Sequence, residues 1–229
     1  FWTGALVMVR LLNVLLAVGC VYLTYRVGRV VWGRTAGHLA GLLLTLTFGF
    51  LTIAHEGGED MPALFFVLLA LYLLVRYVQA GRRWRFFAAS AAGGAVIAFK
   101  LTAAPVVALV LAAHLLRAGR TDDPWRALVR PTLLVPGALL GAVAIAVGFP
   151  TLLVGGLDAV AWRLLENPGA RASHPTGPDA PVWWWFLRGY FSGMSLPLFL
   201  GAVAGVGATL LRVGRRRAEP IAGFRRGPR

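Results

Sequence analysis

Apolar runs alternate with short polar breaks along the chain, and the lengths of these runs predict the fold. The runs span about 16–22 residues, and roughly 20 apolar residues form a helix long enough to cross the hydrocarbon core of a bilayer. The pattern therefore predicts an all-α, polytopic transmembrane helical bundle with about seven spans. The predicted spans are residues 4–25, 36–54, 61–79, 86–99, 102–117, 131–149 and 191–211.

One stretch of the pattern allows two interpretations. Residues 86–117 are too long for a single span, and Lys100 lies in the middle, close to Pro105. A single kinked helix would bury the lysine at the centre of the membrane, which is costly unless the charge is paired. We therefore favour two short helices, because they place Lys100 at a membrane face.

The spans define one predicted transmembrane domain, residues 1–211, followed by a basic cytoplasmic tail at residues 212–229. The longest polar segment, residues 150–190, is the predicted outer loop. It ends in a tryptophan cluster, Trp183-Trp184-Trp185, which suits either an interfacial belt or a surface on which a sugar or isoprene stacks. The single cysteine of the chain excludes an internal disulfide and a metal site built from several thiolates.

The distribution of basic residues predicts the orientation of the chain. The net charge of +14 would by itself suggest a nucleic-acid partner. However, the segments 26–34, 76–85, 117–130 and 212–229 hold three, four, four and seven of the 23 basic residues, and a seven-span arrangement places them all on one side. The positive-inside rule assigns that side to the cytoplasm. We therefore predict a multi-pass protein of the cell (plasma) membrane, with no nucleic-acid partner.

The break at residues 55–60 concentrates polar side chains on the predicted outer face. It reads His-Glu-Gly-Gly-Glu-Asp and holds three of the nine acidic residues. Carboxylates are too costly to leave in hydrocarbon, so these groups must meet water, a cation or a metal. Simple solvation and a binding site both fit the pattern. His55 and Glu56 are the candidate ligands for a divalent metal, although their spacing is not diagnostic.

Cationic and polar residues in the other predicted outer segments complete a candidate binding site. Lysine is a compact charge suited to phosphate, and arginine can bind phosphate through two parallel hydrogen bonds. A lysine that only marks the membrane face and binds no ligand explains Lys100 equally well. The candidate substrate-binding residues are Glu59, Asp60, Lys100, His174 and Arg188.

Four short blocks occur in order along the chain: Arg10-Leu11-Leu12-Asn13, Glu59-Asp60-Met61-Pro62, Phe99-Lys100-Leu101-Thr102 and His174-Pro175-Thr176-Gly177. In this order they resemble the family 39 membrane glycosyltransferases of GT-C architecture. That family includes the dolichyl-phosphate-mannose protein mannosyltransferases and the bacterial aminoarabinose transferases. The resemblance extends over nearly the whole chain.

The resemblance implies an inverting hexosyl- or pentosyl-type glycosyltransferase of the cell envelope. Such an enzyme moves a sugar from a polyprenyl-phosphate donor to a protein, lipid or glycan acceptor on the outer membrane face. A carboxylate deprotonates the acceptor, and cationic groups or a metal stabilise the leaving phosphate; Lys100 and Arg188 match the second role. The acid thought to act as base in that family lies in an earlier outer loop. We therefore expect the base upstream of Phe1, and we expect this fragment to be inactive alone.

A polytopic transporter or flippase is the alternative function. Coupled transport would favour carboxylates inside the spans, near broken helices at the membrane centre. The predicted spans contain no acidic residue, which favours the glycosyltransferase. A purely structural subunit is a third interpretation, and it predicts that the outer acidic residues, lysine and tryptophans can be replaced freely.

Overall fold

The computed structural model of the chain describes residues 2–149, 154–156 and 158. In this part of the chain every regular element is helical, which confirms the predicted all-α class. The predicted span 191–211, the tail 212–229 and almost all of the outer loop lie outside the described residues. The helices are α1 (Trp2–Trp32), α2 (Arg34–Thr45), α3 (Phe48–His55), α4 (Asp60–Ala80), α5 (Arg83–Phe99), α6 (Val106–Ala118), α7 (Pro124–Leu128) and α8 (Pro131–Gly148), with a 3-10 turn at Leu101–Ala103.

Three helical segments of the described chain are long and apolar enough to cross a membrane, namely Gly4–Trp32, Asp60–Ala80 and Pro124–Gly148. A fourth candidate is the pair α2 and α3, which are bent by 62° relative to each other. Helices α5 and α6 contain 17 and 13 residues and are shorter than the ~20 residues of an ordinary span. The polytopic helical class is therefore confirmed, whereas the count of seven spans stays a prediction.

The predicted span 36–54 is divided between two helices. Helix α2 ends at Thr45, and α3 begins at Phe48. The Thr45 hydroxyl donates to the carbonyl oxygen of Gly41 over 2.9 Å, within its own helix. Such bonding of a threonine to the preceding turn tends to bend helices. Hydropathy missed the break because the sequence is apolar on both sides of it.

The first helix is longer than predicted, since residues 26–32 of the predicted loop continue α1 as far as Trp32. Arginine is a good helix former, and its long apolar stem can lie along a helix surface while the guanidinium finds polar partners. Arg26 does this: its guanidinium donates to the hydroxyl of Tyr22 on α1 and to that of Tyr72 on α4, the latter over 2.7 Å.

Helix α4 is the central element of the described chain, because it packs against α1, α5 and α6. One apolar cluster joins it to α1 through Met61 and Cys20, and a second joins it to α5 through Leu74 and Ala89. A helix of 21 residues is about 30 Å long, close to the thickness of the hydrocarbon core. Polar groups at the two ends of α4 are therefore separated by about the width of a membrane.

Candidate functional site

The amino-terminal end of α4 carries the acidic residues that the sequence singled out. Glu59 is the N-cap residue, Asp60 is the first helical residue, and Pro62 lies in the first turn. A proline in the first turn loses no helical hydrogen bond, and a carboxylate there is stabilised by the partial positive charge of the helix end. Local sequence therefore determines both the start of the helix and the position of the Asp60 carboxylate.

Lys100 lies where the chain turns between two helices. Helix α5 ends at Phe99, Lys100 adopts an extended conformation with φ −140° and ψ 99°, and the 3-10 turn follows immediately. The structure thus contains two helices in the stretch 86–117 rather than one. Lys100 lies in the short connection that joins them.

The structure brings Lys100 and Asp60 together. The Nζ atom of Lys100 donates a hydrogen bond to Oδ1 of Asp60 and forms an ion pair with it. Helices α4 and α5 pack against each other, and the rings of Phe66 and Phe99 stack at 5.7 Å between centroids, with 15° between their planes. This packing aligns the start of α4 with the end of α5.

Solvent reaches both members of this pair: the side chain of Lys100 is 39% exposed, and that of Asp60 is 44% exposed. An ion pair that is exposed to this degree contributes at most about 1 kcal/mol to stability. The ammonium group can also donate up to three hydrogen bonds, only one of which goes to Asp60. The pair is therefore accessible to a ligand, and the ammonium group keeps further hydrogen-bond donors for it.

Asn13 anchors the acidic segment to α1. Its side chain is only 1% exposed, and its Nδ2 atom donates to the backbone carbonyl oxygens of Glu56 and Gly58, the latter over 3.2 Å. Buried amides almost always find such partners. Residues 56–58 are thereby held beside α1, immediately before Glu59 and Asp60. In the sequence, Asn13 is part of the block Arg10-Leu11-Leu12-Asn13 inside the first predicted span, and nothing in that pattern indicates its contact with the acidic segment.

The described residues do not by themselves form a metal site. The Nδ1 atom of His55 lies 2.7 Å from the carbonyl oxygen of Leu51 in the preceding turn, which leaves Nε2 as its available ring nitrogen. Within residues 2–149, 154–156 and 158, no three side chains of the histidine, cysteine, aspartate or glutamate type come close enough to hold an ion. Metal binding by His55 and Glu56 stays a prediction, and no chemical step is assigned to a metal.

Three predicted substrate-binding residues remain, namely Glu59, His174 and Arg188. Glu59 lies next to Asp60 at the helix start, and its backbone carbonyl accepts a hydrogen bond from the Ala63 amide over 3.2 Å. His174 and Arg188 lie outside the described residues, so their proposed contacts with substrate stay predictions.

Residues 4–152 match the protein family described as dolichyl-phosphate-mannose-protein mannosyltransferase. The match covers more than half of the chain and includes Asn13, Glu59, Asp60 and Lys100, whereas His174 and Arg188 lie beyond it. No curated protein and no solved structure matched the chain.

Proposed function

The chain belongs to the dolichyl-phosphate-mannose-protein mannosyltransferase family, and we propose that it transfers a sugar from a polyprenyl-phosphate donor to a protein, lipid or glycan acceptor. Family membership and the apolar helices make the protein a membrane glycosyltransferase. The observation that carries the finer proposal is the accessible pair of Lys100 and Asp60 at the amino-terminal end of α4.

The proposed reaction breaks the bond between the anomeric carbon and the phosphate oxygen of the donor. The acceptor hydroxyl oxygen forms the new bond from the opposite face, its proton passes to a carboxylate base, and polyprenyl phosphate leaves with the electron pair of the broken bond. Negative charge therefore grows on the phosphate oxygens in the transition state. A fixed cation beside these oxygens lowers the barrier, since it interacts more strongly with the transition state than with the bound donor.

In this proposal Lys100 is that cation, and Asp60 is the residue that positions it. The carboxylate holds the ammonium at the helix end through one hydrogen bond and leaves two further donors for phosphate oxygens. Because Asp60 is engaged with Lys100, the role of base is not assigned to it. Arg188 is proposed to act with Lys100 on the donor phosphate, and Glu59 and His174 to contact other parts of the substrates. Asn13 is proposed to hold the segment that precedes Glu59 and Asp60.

The outer face of the cell membrane is the proposed location of this site. Arginines 76, 82, 83, 85, 117 and 120 lie in or beside the chain segments at the carboxyl-terminal end of α4, away from Asp60. An excess of arginine marks the cytoplasmic side of membrane proteins. If α4 spans the membrane, the pair of Asp60 and Lys100 lies at its outer end.

Sugar transfer and solute transport can be separated in one experiment. Membranes from cells that carry the wild-type or the Lys100→Ala chromosomal gene are supplied with radiolabelled polyprenyl-phosphate sugars, and labelled acceptor is extracted and counted. We expect transfer from at least one donor with the wild type and its loss with Lys100→Ala. Failure with every donor, together with measurable solute uptake by sealed vesicles, would instead support the transporter.

A further inference from the structure

A second polar region lies at the other end of α4, about 30 Å from Asp60. Here the ends of α4, α5, α6 and α8 and part of α7 enclose a cavity of about 100 Å³. Its volume exceeds what a single water molecule needs. We call it the basic cavity, and the polar side chains that line it are Tyr77, Arg83, His114, Arg117, Thr121 and Arg130.

The charges that line the basic cavity are all of one sign. Three arginines face it, and none of its lining residues is an aspartate or glutamate. The described residues contain two ion pairs, Lys100 with Asp60 and Arg126 with Asp123, and neither uses an arginine of the basic cavity. A cleft lined by one sign of charge focuses the electric field and attracts ions of the opposite sign. The basic cavity therefore favours an anion.

The backbone places Arg117 at the edge of this cavity. Gly81, which follows α4, adopts φ +67°, a conformation that side chains other than glycine rarely take. The guanidinium of Arg117 lies against Gly81 so closely that a Cβ atom there would collide with it. One Arg117 nitrogen donates weakly to the carbonyl oxygen of Val78 over 3.4 Å, and its other donors have no partner among the described residues.

The buried ring of His114 lines the cavity. The ring places Nε2 at 3.0 Å from the carbonyl oxygen of Leu128, which can only accept, so Nε2 carries the proton. The Nδ1 atom lies 3.4 Å from the Tyr77 hydroxyl. The arginines are the permanently charged groups of the cavity. Arg83 and Arg130 are its two exposed arginines and have no side-chain hydrogen bond among the described residues.

Two tryptophans indicate where this cavity lies relative to a membrane. Trp84, beside Arg83, and Trp125, on α7, both expose most of their side chains. Exposed tryptophans at the ends of apolar helices typically lie at the level of the lipid headgroups. The arginines of the basic cavity are thus at the depth at which lipid phosphates occur.

We propose that the basic cavity binds one phosphate group, supplied by an anionic lipid of the arginine-rich leaflet or by free phosphate. Arginine suits this ligand because its planar fork can donate two parallel hydrogen bonds to phosphate oxygens. The site is separate from the donor phosphate site at Lys100, because α4 separates the two by its full length.

The test measures the thermal unfolding of the purified full chain in neutral detergent micelles. One sample contains phosphatidylglycerol, and a second contains dioleoylglycerol, the matched lipid without a phosphate group. A third sample contains inorganic phosphate and is compared with one that contains chloride at equal ionic strength. We expect phosphatidylglycerol to raise the unfolding temperature and dioleoylglycerol to leave it unchanged. If inorganic phosphate raises the unfolding temperature equally, free phosphate is the ligand. If inorganic phosphate causes no shift, the lipid is the ligand.

Variants decide whether the arginines of the basic cavity are responsible. Arg83→Gln and Arg130→Gln each remove one charge from an exposed side chain, and each should weaken phosphate binding roughly tenfold or more. The double variant removes both charges and should weaken it further. Arg126→Gln is the control, because Arg126 lies in the same segment, is 90% exposed and does not line the cavity. Equal stabilisation by the two lipids, or unchanged binding by the double variant, would overturn the proposal.

Discussion

Lys100 donates a hydrogen bond to Asp60 across 40 residues of sequence, and this contact joins the end of α5 to the start of α4. Both side chains remain partly open to solvent, so the contact does not seal them from a ligand. Two oppositely charged residues that the sequence had identified separately thus form one accessible unit. The expected effects of changing either residue follow from this geometry.

Asp60→Asn should lower sugar transfer while leaving the protein folded. The substitution removes the charge that holds the Lys100 ammonium in place, and a hydrogen bond between charged groups accounts for about a tenfold change or more in rate. Stability should change by no more than about 1 kcal/mol, because the pair is partly exposed. Initial transfer rates and thermal unfolding, measured on the same membrane preparations, check both expectations. A large loss of stability with unchanged transfer would show that the pair is structural.

Asn13→Ala should destabilise the protein by about 1–3 kcal/mol. The substitution leaves the carbonyl oxygens of Glu56 and Gly58 without their donor, and it removes a buried amide. Chemical or thermal unfolding of the purified variant measures the loss. Gln79→Ala is the matched control, since this exposed amide donates to the carbonyl oxygen of Val30 over a longer 3.4 Å. Its loss should lower the free energy of unfolding by less than about 0.5 kcal/mol. Equal stability of the two variants would contradict the anchoring role of Asn13.

Gly94→Ala should destabilise the packing of α5 against α8. A Cβ atom at Gly94 would collide with the carbonyl oxygen of Gly141 and lie 3.0 Å from the Cβ atom of Ala144. Overpacking of this kind costs about 1–3 kcal/mol. In Gly4→Ala the new methyl group meets nothing within 4 Å, so this control in α1 should be neutral or slightly stabilising. The difference in unfolding temperature between the two variants measures the effect, and a stable Gly94→Ala protein would contradict this packing.

Single cysteines can test the proposed orientation. The native Cys20 is 0% exposed and should not react, so it can be kept. A cysteine that replaces Gly58 should react with a membrane-impermeant thiol reagent applied to intact cells, and one that replaces Arg120 only after permeabilisation. The reverse pattern of labelling would place the site of Lys100 and Asp60 on the cytoplasmic side.

Sequence reasoning could find single features but not the contacts that join them. Hydropathy gave the helical class and the approximate limits of α4, since both depend on local composition. Asp60 and Lys100 were found because charge is unusual beside apolar runs, but their pairing depends on how α4 packs against α5, to which the Phe66 and Phe99 stack contributes. The bend after Thr45 and the two bonds of Asn13 depend on side-chain geometry, which hydropathy does not contain.

The most direct test of the proposed function is the rate of sugar transfer by Lys100→Ala, compared with Arg126→Ala. Removing a group that stabilises the charge of a transition state typically lowers the rate by about 100-fold to 1000-fold. We therefore expect such a loss with Lys100→Ala, partial activity with Lys100→Arg and wild-type transfer with Arg126→Ala, all with similar unfolding temperatures. Transfer by Lys100→Ala at the wild-type rate would contradict the assignment of Lys100 to the donor phosphate.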